Sequence, residues 1–291
     1  MYHKTSGYKL FYAINLTILS IGAIVCLLPL IHIFAVSVSS NAASTGNLVK
    51  FWPIGFNLDA YRRTLDSPDF AQALWISVSR TALGTALSMF LCFLAAYPMS
   101  KVNSQFRGRT AYSWYFIITI LFNGGLIPTY LVVNATGIRD TIWALVMPGV
   151  VVVFNVVLMM NFFRGIPKEL EEAAQIDGAN HWRVLFTVFL PVSLPSIATL
   201  SLFTVVSHWN SWFDGLIYMS NDKQPLATMI QILVQKQDYT RIEMNVSEIA
   251  KISARTLRAT QIFIGMLPVL VVYPFLQKYF VKGMTLGSVK E

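Results

Sequence analysis

Apolar residues in this chain gather into long runs, and polar residues into the segments between them. Six runs are long enough to cross a bilayer as a helix, which takes about 20 apolar residues. They lie at approximately 10–36, 74–99, 111–133, 141–163, 185–206 and 260–280. The third and fourth are interrupted by Gly124, Gly125, Pro128, Pro148 and Gly149. Such breaks are tolerated where neighbouring helices or a water-lined cavity satisfy the freed backbone groups, so these runs are expected to face protein or water on at least one side. Two polar segments are long, 37–73 and 207–259. The first predicts a loop with short helices, and the second predicts helical pieces near 225–237 and 246–258. The pattern specifies an all-α membrane protein of six transmembrane helices in one domain, 1–291.

Composition strengthens that reading. Hydrophobic residues make up 55% of the chain and charged residues 12%, against about 25% charged in soluble domains. Mean hydropathy is +0.57. The net charge of +8 would suit nucleic acid, but Lys and Arg stand at the ends of apolar runs, where they set topology. With the amino terminus inside, interior segments hold Lys4, Lys9, Lys101, Arg107, Arg109, Arg164, Lys168, Arg183, Lys278, Lys282 and Lys290. Exterior cations are as numerous but spread over longer segments, which count less. Both termini and the segment 167–183 are therefore expected in the cytoplasm. The first run is too long for the core of a cleavable signal and lacks a small-residue cleavage site, so it reads as a retained span. Cys26 and Cys92 fall inside apolar runs with no CxxC or Cys/His spacing, which supports neither a disulfide framework nor a metal site.

Chemistry of its own is hard to find. No G-x4-GK[ST] phosphate loop, HExxH or GxSxG occurs, and the four histidines are scattered. No catalytic or metal-ligating set emerges, so the chain is not expected to be an enzyme. Ion-coupled pumps keep acids or histidines within their spans. Here the spans contain almost none: His32 in the first, Arg80 near the outer end of the second and His208 just beyond the fifth, with no Asp or Glu inside a run. There is no internal repeat of the kind secondary transporters carry. Energy for any transport would come from a partner or from an ion gradient that leaves no such trace.

The most informative segment is 172–191, EAAQIDGANHWRVLFTVFLP. Pro167 suits the first turn of a helix, and Glu169, Glu171 and Glu172 complement its positive end. Ala173 and Ala174 leave a slim surface, and Gly178 permits a sharp turn into a second helix near Asn180. A helix of this kind is fit to enter a groove on another protein; an amphipathic helix that merely tethers a loop, with Gly178 as an ordinary cap, is the alternative. The spacing resembles the EAA loop of ABC-importer permeases, EAA-x3-G-x9-I-x-LP, with Val188 at the isoleucine position. The resemblance covers about Ala71 to the carboxyl terminus and extends to Asn57-x3-Tyr61 before the second run. It implies the six-helix fold of type I importer permeases (MetI-like) in a bacterial cytoplasmic membrane. It also implies a coupling helix at about 167–183 in which Glu172, Ala173, Ala174, Asp177 and Gly178 dock on an ATPase. The implied partners are a second homologous permease, a dimer of that ATPase, which would hold ATP and magnesium, an extracytoplasmic solute-binding protein, and membrane lipid. No cofactor in this chain and no nucleic acid are implied.

Sugars are held by aromatic faces together with groups that hydrogen-bond hydroxyls. The candidates for a substrate path are Asn123, Tyr130, Asn155, Asn161, His208, Trp209, Asn210, Trp212 and Asp214. The competing reading places the aromatics in interfacial belts and the asparagines in helix–helix bonds. Arg80 could meet an acidic sugar or anchor the span at the interface. The ending 279–290, YFVKGMTLGSVK, resembles the carbohydrate branch of the family, and Phe122–Tyr130, FNGGLIPTY, resembles permeases for oligosaccharides and polysaccharide fragments. That subgroup implies an oligosaccharide cargo, including acidic ones such as alginate or pectin fragments. A neutral maltodextrin-like sugar and a stand-alone secondary transporter are the alternatives.

Overall fold

The structure is a computed structural model, and it describes residues 5–239 and 255–274. Every regular element among the described residues is helical. In chain order they are α1 Ser6–Ser37, α2 Asn41–Thr45, α3 Asp59–Leu65, α4 Pro68–Ser100, α5 Arg109–Leu121 and α6 Leu126–Ala135. There follow α7 Ile142–Gly149, α8 Val153–Arg164, α9 Lys168–Ile176, α10 His181–Val192, α11 Leu194–Asn210, α12 Phe213–Tyr218, α13 Leu226–Tyr239 and α14 Arg255–Pro274.

Three helices, α1, α4 and α14, are long and apolar enough to span a membrane singly. Three further pairs pass the same test together but are bent: α5 with α6 by 113°, α7 with α8 by 54°, and α10 with α11 by 84°. Counting each pair as one span gives six, in register with the six apolar runs. In α1 the apolar side chains point outward almost throughout, and only 6% of its most apolar window is buried within the chain. Lipid is the solvent that suits such a surface. The loop helices expected in 37–73 are α2 and α3, and the piece expected near 225–237 is α13. The piece near 246–258 lies mostly outside the described residues, as does the signature 279–290.

One bend was not expected from the sequence. The run 185–206, read as a single span, turns by 84° at Ser193. Pro191 and Pro195 flank that residue and remove two helical donors. A π-helical turn at Leu185–Phe189 precedes them, and such bulges and prolines are the usual causes of a kink.

The chain falls into two compact units, 1–71 with 230–267 and 72–229 with 268–291. In the first, Ala35, Val36, Ala43, Val49 and Ala259 form a small core. Polar side chains lock its loop. Ser37 Oγ and Tyr61 Oη lie 2.7 Å apart, Ile54 N–H donates to Ser39 Oγ at 3.0 Å, and Asn57 Oδ1 accepts from the Asp59 amide at 2.6 Å. The Asn57-x3-Tyr61 stretch is thus a folded turn tied to the end of α1. In the second unit, α4, α8, α10 and α11 enclose the main core, with Cys92, Ala96, Met99, Met159, Phe163, Val184, Leu185 and Phe189 at its centre.

Candidate functional site

Two constellations in the second unit carry charge or polar groups into protected surroundings. One is a cavity of about 400 Å³ lined by Arg80, Pro148, Gly149, Asn155, Thr204, His208, Asp214 and Tyr218, among others. The break between α7 and α8 opens its wall, as an interrupted span beside a cavity should. Arg80 is 2% exposed along its side chain and pairs with Asp214. A second guanidinium nitrogen donates to the Ser211 carbonyl at 2.9 Å, while its Nε has no hydrogen-bond partner among the described residues. Asp214 Oδ1 accepts in turn from Ser211 Oγ and the Gly215 amide, each at 2.9 Å. A charge this deep in apolar surroundings persists only when paired and hydrogen-bonded.

The other lining groups sort the sequence candidates. Asn155 is buried and donates to Thr204 Oγ1 at 3.1 Å across α8 and α11, so it lines the cavity and also ties two helices. His208 faces the cavity with its ring against Gly84 of α4; a Cβ there would lie 2.6 Å from His208 Nε2. Tyr130 sits one layer back, stacked on Tyr218 at 6.3 Å. Trp209 is buried beside the cavity without lining it. Asn210 and Asn161 are exposed. Trp212 packs edge-on against Phe213, and its carbonyl accepts from Thr228 Oγ1 at 2.7 Å. Asn123 caps the α5–α6 turn, accepting from the Gly125 amide at 2.9 Å. Of the candidates, Asn155, His208 and Asp214 meet at one cavity, and Arg80 lines it with them rather than anchoring a span at the interface.

The second constellation surrounds α9. Pro167 precedes the helix, with Glu169 and Glu171 in its first turn. Its end is a Schellman cap: the Gly178 amide donates to the Gln175 carbonyl at 3.0 Å and the Ala179 amide to the Ala174 carbonyl at 2.9 Å. This geometry needs a left-handed residue after the helix, and Gly178 has φ +81°. Ala174 and Ala179 pack on the main core, which seats the turn. Asn180 then caps α10, its side chain accepting from the Arg183 amide at 2.9 Å. Leu170, Glu172, Ala173, Ile176 and Asp177 are exposed, Ile176 by 86%. Leu170 and Ile176 thus leave apolar surface on α9 open to solvent or to a partner.

Beneath α9 lies a contact that the sequence did not reveal. Lys101 Nζ, just past the end of α4, reaches Glu171 Oε1 at 2.6 Å, and both residues are buried. The ammonium sits 4.0 Å from the ring centre of Tyr97 and 4.3 Å from that of Phe189, within cation–π range. Burial pulls Lys101 below the usual lysine value, and the hydrogen bond and charge of Glu171 oppose that shift. Gln175 Nε2 donates to the same carboxylate oxygen at 3.3 Å. Tyr97 Oη lies 3.3 Å from His181 Nδ1, which brings α10 into the same cluster.

Both the sequence and the fold of this chain have counterparts among known proteins. The profile of the binding-protein-dependent transport system inner membrane component family matches residues 1–286. The chain belongs to that family. Among its relatives, the polygalacturonan/rhamnogalacturonan transport system permease protein YtcP of Bacillus subtilis is 39% identical over 92% of this chain and 94% of its own length. Protein LplC of the same organism is 37% identical over 99% and 97%. A chain of a bacterial ABC transporter involved in the import of the acidic polysaccharide alginate superimposes with a TM-score of 0.84. It is 30% identical, over 95% of this permease and 98% of that chain. The six-span permease fold expected from the EAA spacing is therefore the fold of this chain.

Proposed function

We propose that this permease forms one half of the translocation path of an ABC importer for oligosaccharides that carry uronate groups. The observation that carries the proposal is likeness along the whole chain to a permease named for polygalacturonan and rhamnogalacturonan, together with the alginate-importer fold. The cavity supports it independently. A buried guanidinium paired with Asp214, its Nε without a partner among the described residues, an imidazole and a carboxamide line a space of about 400 Å³, a set suited to carboxylates and hydroxyls at once.

In this reading the amino and carboxyl termini and α9 face the cytoplasm, in keeping with the basic residues around them. Residues Glu172, Ala173, Ala174, Asp177 and Gly178 dock on an ATPase dimer that binds ATP and magnesium. A second, homologous permease completes the path, and an extracytoplasmic binding protein delivers the sugar at the cavity end. Closure of the ATPases draws α9 with it and turns the cavity outward; hydrolysis resets it. This chain supplies path and coupling, and the partner supplies the chemistry of hydrolysis.

The test is ATP hydrolysis by proteoliposomes holding this chain, its partner permease and ATPase. Binding protein would be added with galacturonate oligomers or with neutral oligosaccharides of equal length. Stimulation by the uronate oligomers alone is the expected result. Stimulation only by neutral sugars would overturn the acidic cargo and leave the importer standing; no stimulation by any sugar would sink the carbohydrate assignment.

A further inference from the structure

We propose that the stretch of α4 from Arg80 to its carboxyl end is a lever held by an ion pair at Arg80 and another at Lys101, and that Lys101 and Glu171 are the positioning residues that pass movement of α9 to the cavity. The inference rests on the coupling role proposed for α9. At one end, the Glu171 carboxylate of α9 holds Lys101, immediately after α4, at 2.6 Å. Toward the other end, Arg80 of the same helix holds Asp214 and the Ser211 carbonyl at the cavity. The two cations are 21 residues apart in the chain, roughly 30 Å along a helix rising about 1.5 Å per residue. Between them Met89, Cys92, Ala95, Ala96 and Met99 pack into the main core. A close-packed helix of this kind transmits strain and does not absorb it.

A buried ion pair is a poor stabiliser, because desolvation of both charges offsets their attraction, and apolar residues of similar volume serve as well. Lys101–Glu171 is therefore better explained by what an apolar pair lacks, a directional bond of fixed length. Tyr97 and Phe189 hold the ammonium from two sides, so Lys101 cannot follow α9 without moving the end of α4. Movement of α4 in turn shifts Arg80 and the Gly84 surface against which His208 rests, and both Arg80 and His208 line the cavity.

The test uses the assembled transporter in proteoliposomes, measuring ATP hydrolysis and sugar uptake together. Lys101→Met with Glu171→Leu fills the same space without the bond and is expected to assemble normally. Its basal hydrolysis should persist, while stimulation by loaded binding protein falls about tenfold, within the usual range of coupling free energies between sites. Lys101→Arg, which keeps a cation between Tyr97 and Phe189 and a donor to Glu171, should retain most of the coupling. Combining the apolar pair with Asp214→Asn should give far less than the sum of the two separate effects, since either break disconnects the same lever. Wild-type coupling in the apolar pair, or strict additivity with Asp214→Asn, would overturn the lever. A wild-type assembly that no loaded binding protein stimulates would instead overturn the coupling role of α9 itself.

Discussion

Gly178 forms the turn that ends α9, and the docking role proposed for it can be separated from that turn by substitution. Its φ of +81° is the left-handed turn on which the cap of α9 depends, and an L side chain there costs about 1–2 kcal/mol. Nothing lies within 4 Å of the position a Cβ would take, so the chain itself imposes no steric penalty beyond that strain. Stability should therefore follow backbone preference alone. Gly178→Asn should be nearly neutral, because asparagine tolerates this region, while Gly178→Ala and Gly178→Leu should lose a similar amount, about 1–2 kcal/mol. That is roughly a 5- to 30-fold shift in the population of the formed turn. Docking should follow bulk instead, because the open space beside Gly178 is where a partner's surface would close. Binding-protein-stimulated hydrolysis and sugar uptake should fall in the order Ala, Asn, Leu. Leucine should abolish uptake while the protein stays in the membrane. Thermal unfolding of the solubilised protein checks the first order, and the reconstituted transporter checks the second. Uptake that followed the stability order, with Asn above Ala, would reduce Gly178 to a turn residue. Normal uptake by the leucine variant would remove the docking role.

Three further outcomes are expected. Gly84→Ala places a methyl group 2.6 Å from His208 Nε2, so the imidazole must swing away from α4; uptake should slow with little change in assembly, and unchanged kinetics would show that His208 does not shape the path. Asp214→Asn leaves the Arg80 guanidinium buried without its counter-charge, which should cost about 3–5 kcal/mol in thermal unfolding, and a loss below about 1 kcal/mol would mean that water already reaches Arg80. The third concerns Asp140, which the Ser220 amide, Lys223 and the Ser220 hydroxyl hold down at a pKa of about 2. Its contribution is full above the ordinary carboxylate value and is lost as pH falls through about 2. Lys223, raised by the same contact, contributes below the ordinary lysine value and fades only at higher pH. The stability difference between wild type and Asp140→Asn should thus be flat from about pH 5 to 8 and shrink below about pH 4; shrinkage already near pH 6 would refute the assignment.

The spans were legible because lipid imposes a length on every crossing helix, and an outward face such as that of α1 leaves a long apolar run in the sequence. Gly124, Gly125, Pro148 and Gly149 announced the bends of two pairs for the same reason, since they interrupt otherwise continuous runs. The bend at Ser193 was hidden. Its prolines flank a serine within uninterrupted hydrophobicity, and a π turn at Leu185–Phe189 leaves no compositional mark. The turn of α9 was readable residue by residue, because a Schellman cap demands a left-handed residue at one fixed place and Gly178 stands there.

What local pattern cannot carry is charge pairing across the fold. Glu171 stood out as a first-turn acid that complements its helix, and Lys101 as an interior cation that sets topology. Neither description predicts that residues 70 apart meet beside the rings of Tyr97 and Phe189. Arg80 and Asp214, 134 apart, are the same case at the cavity. In each pair one residue belongs to α4 or follows directly on it, and the other lies on α9 or α12. A membrane protein keeps buried charge only where something offsets its desolvation. For Lys101 and Glu171 the offset is the hydrogen bond between them and the two ring faces. In the proposed lever, packing along α4 carries the strain, and the two ion pairs supply the directional contacts at its attachment points that the non-directional hydrophobic effect does not.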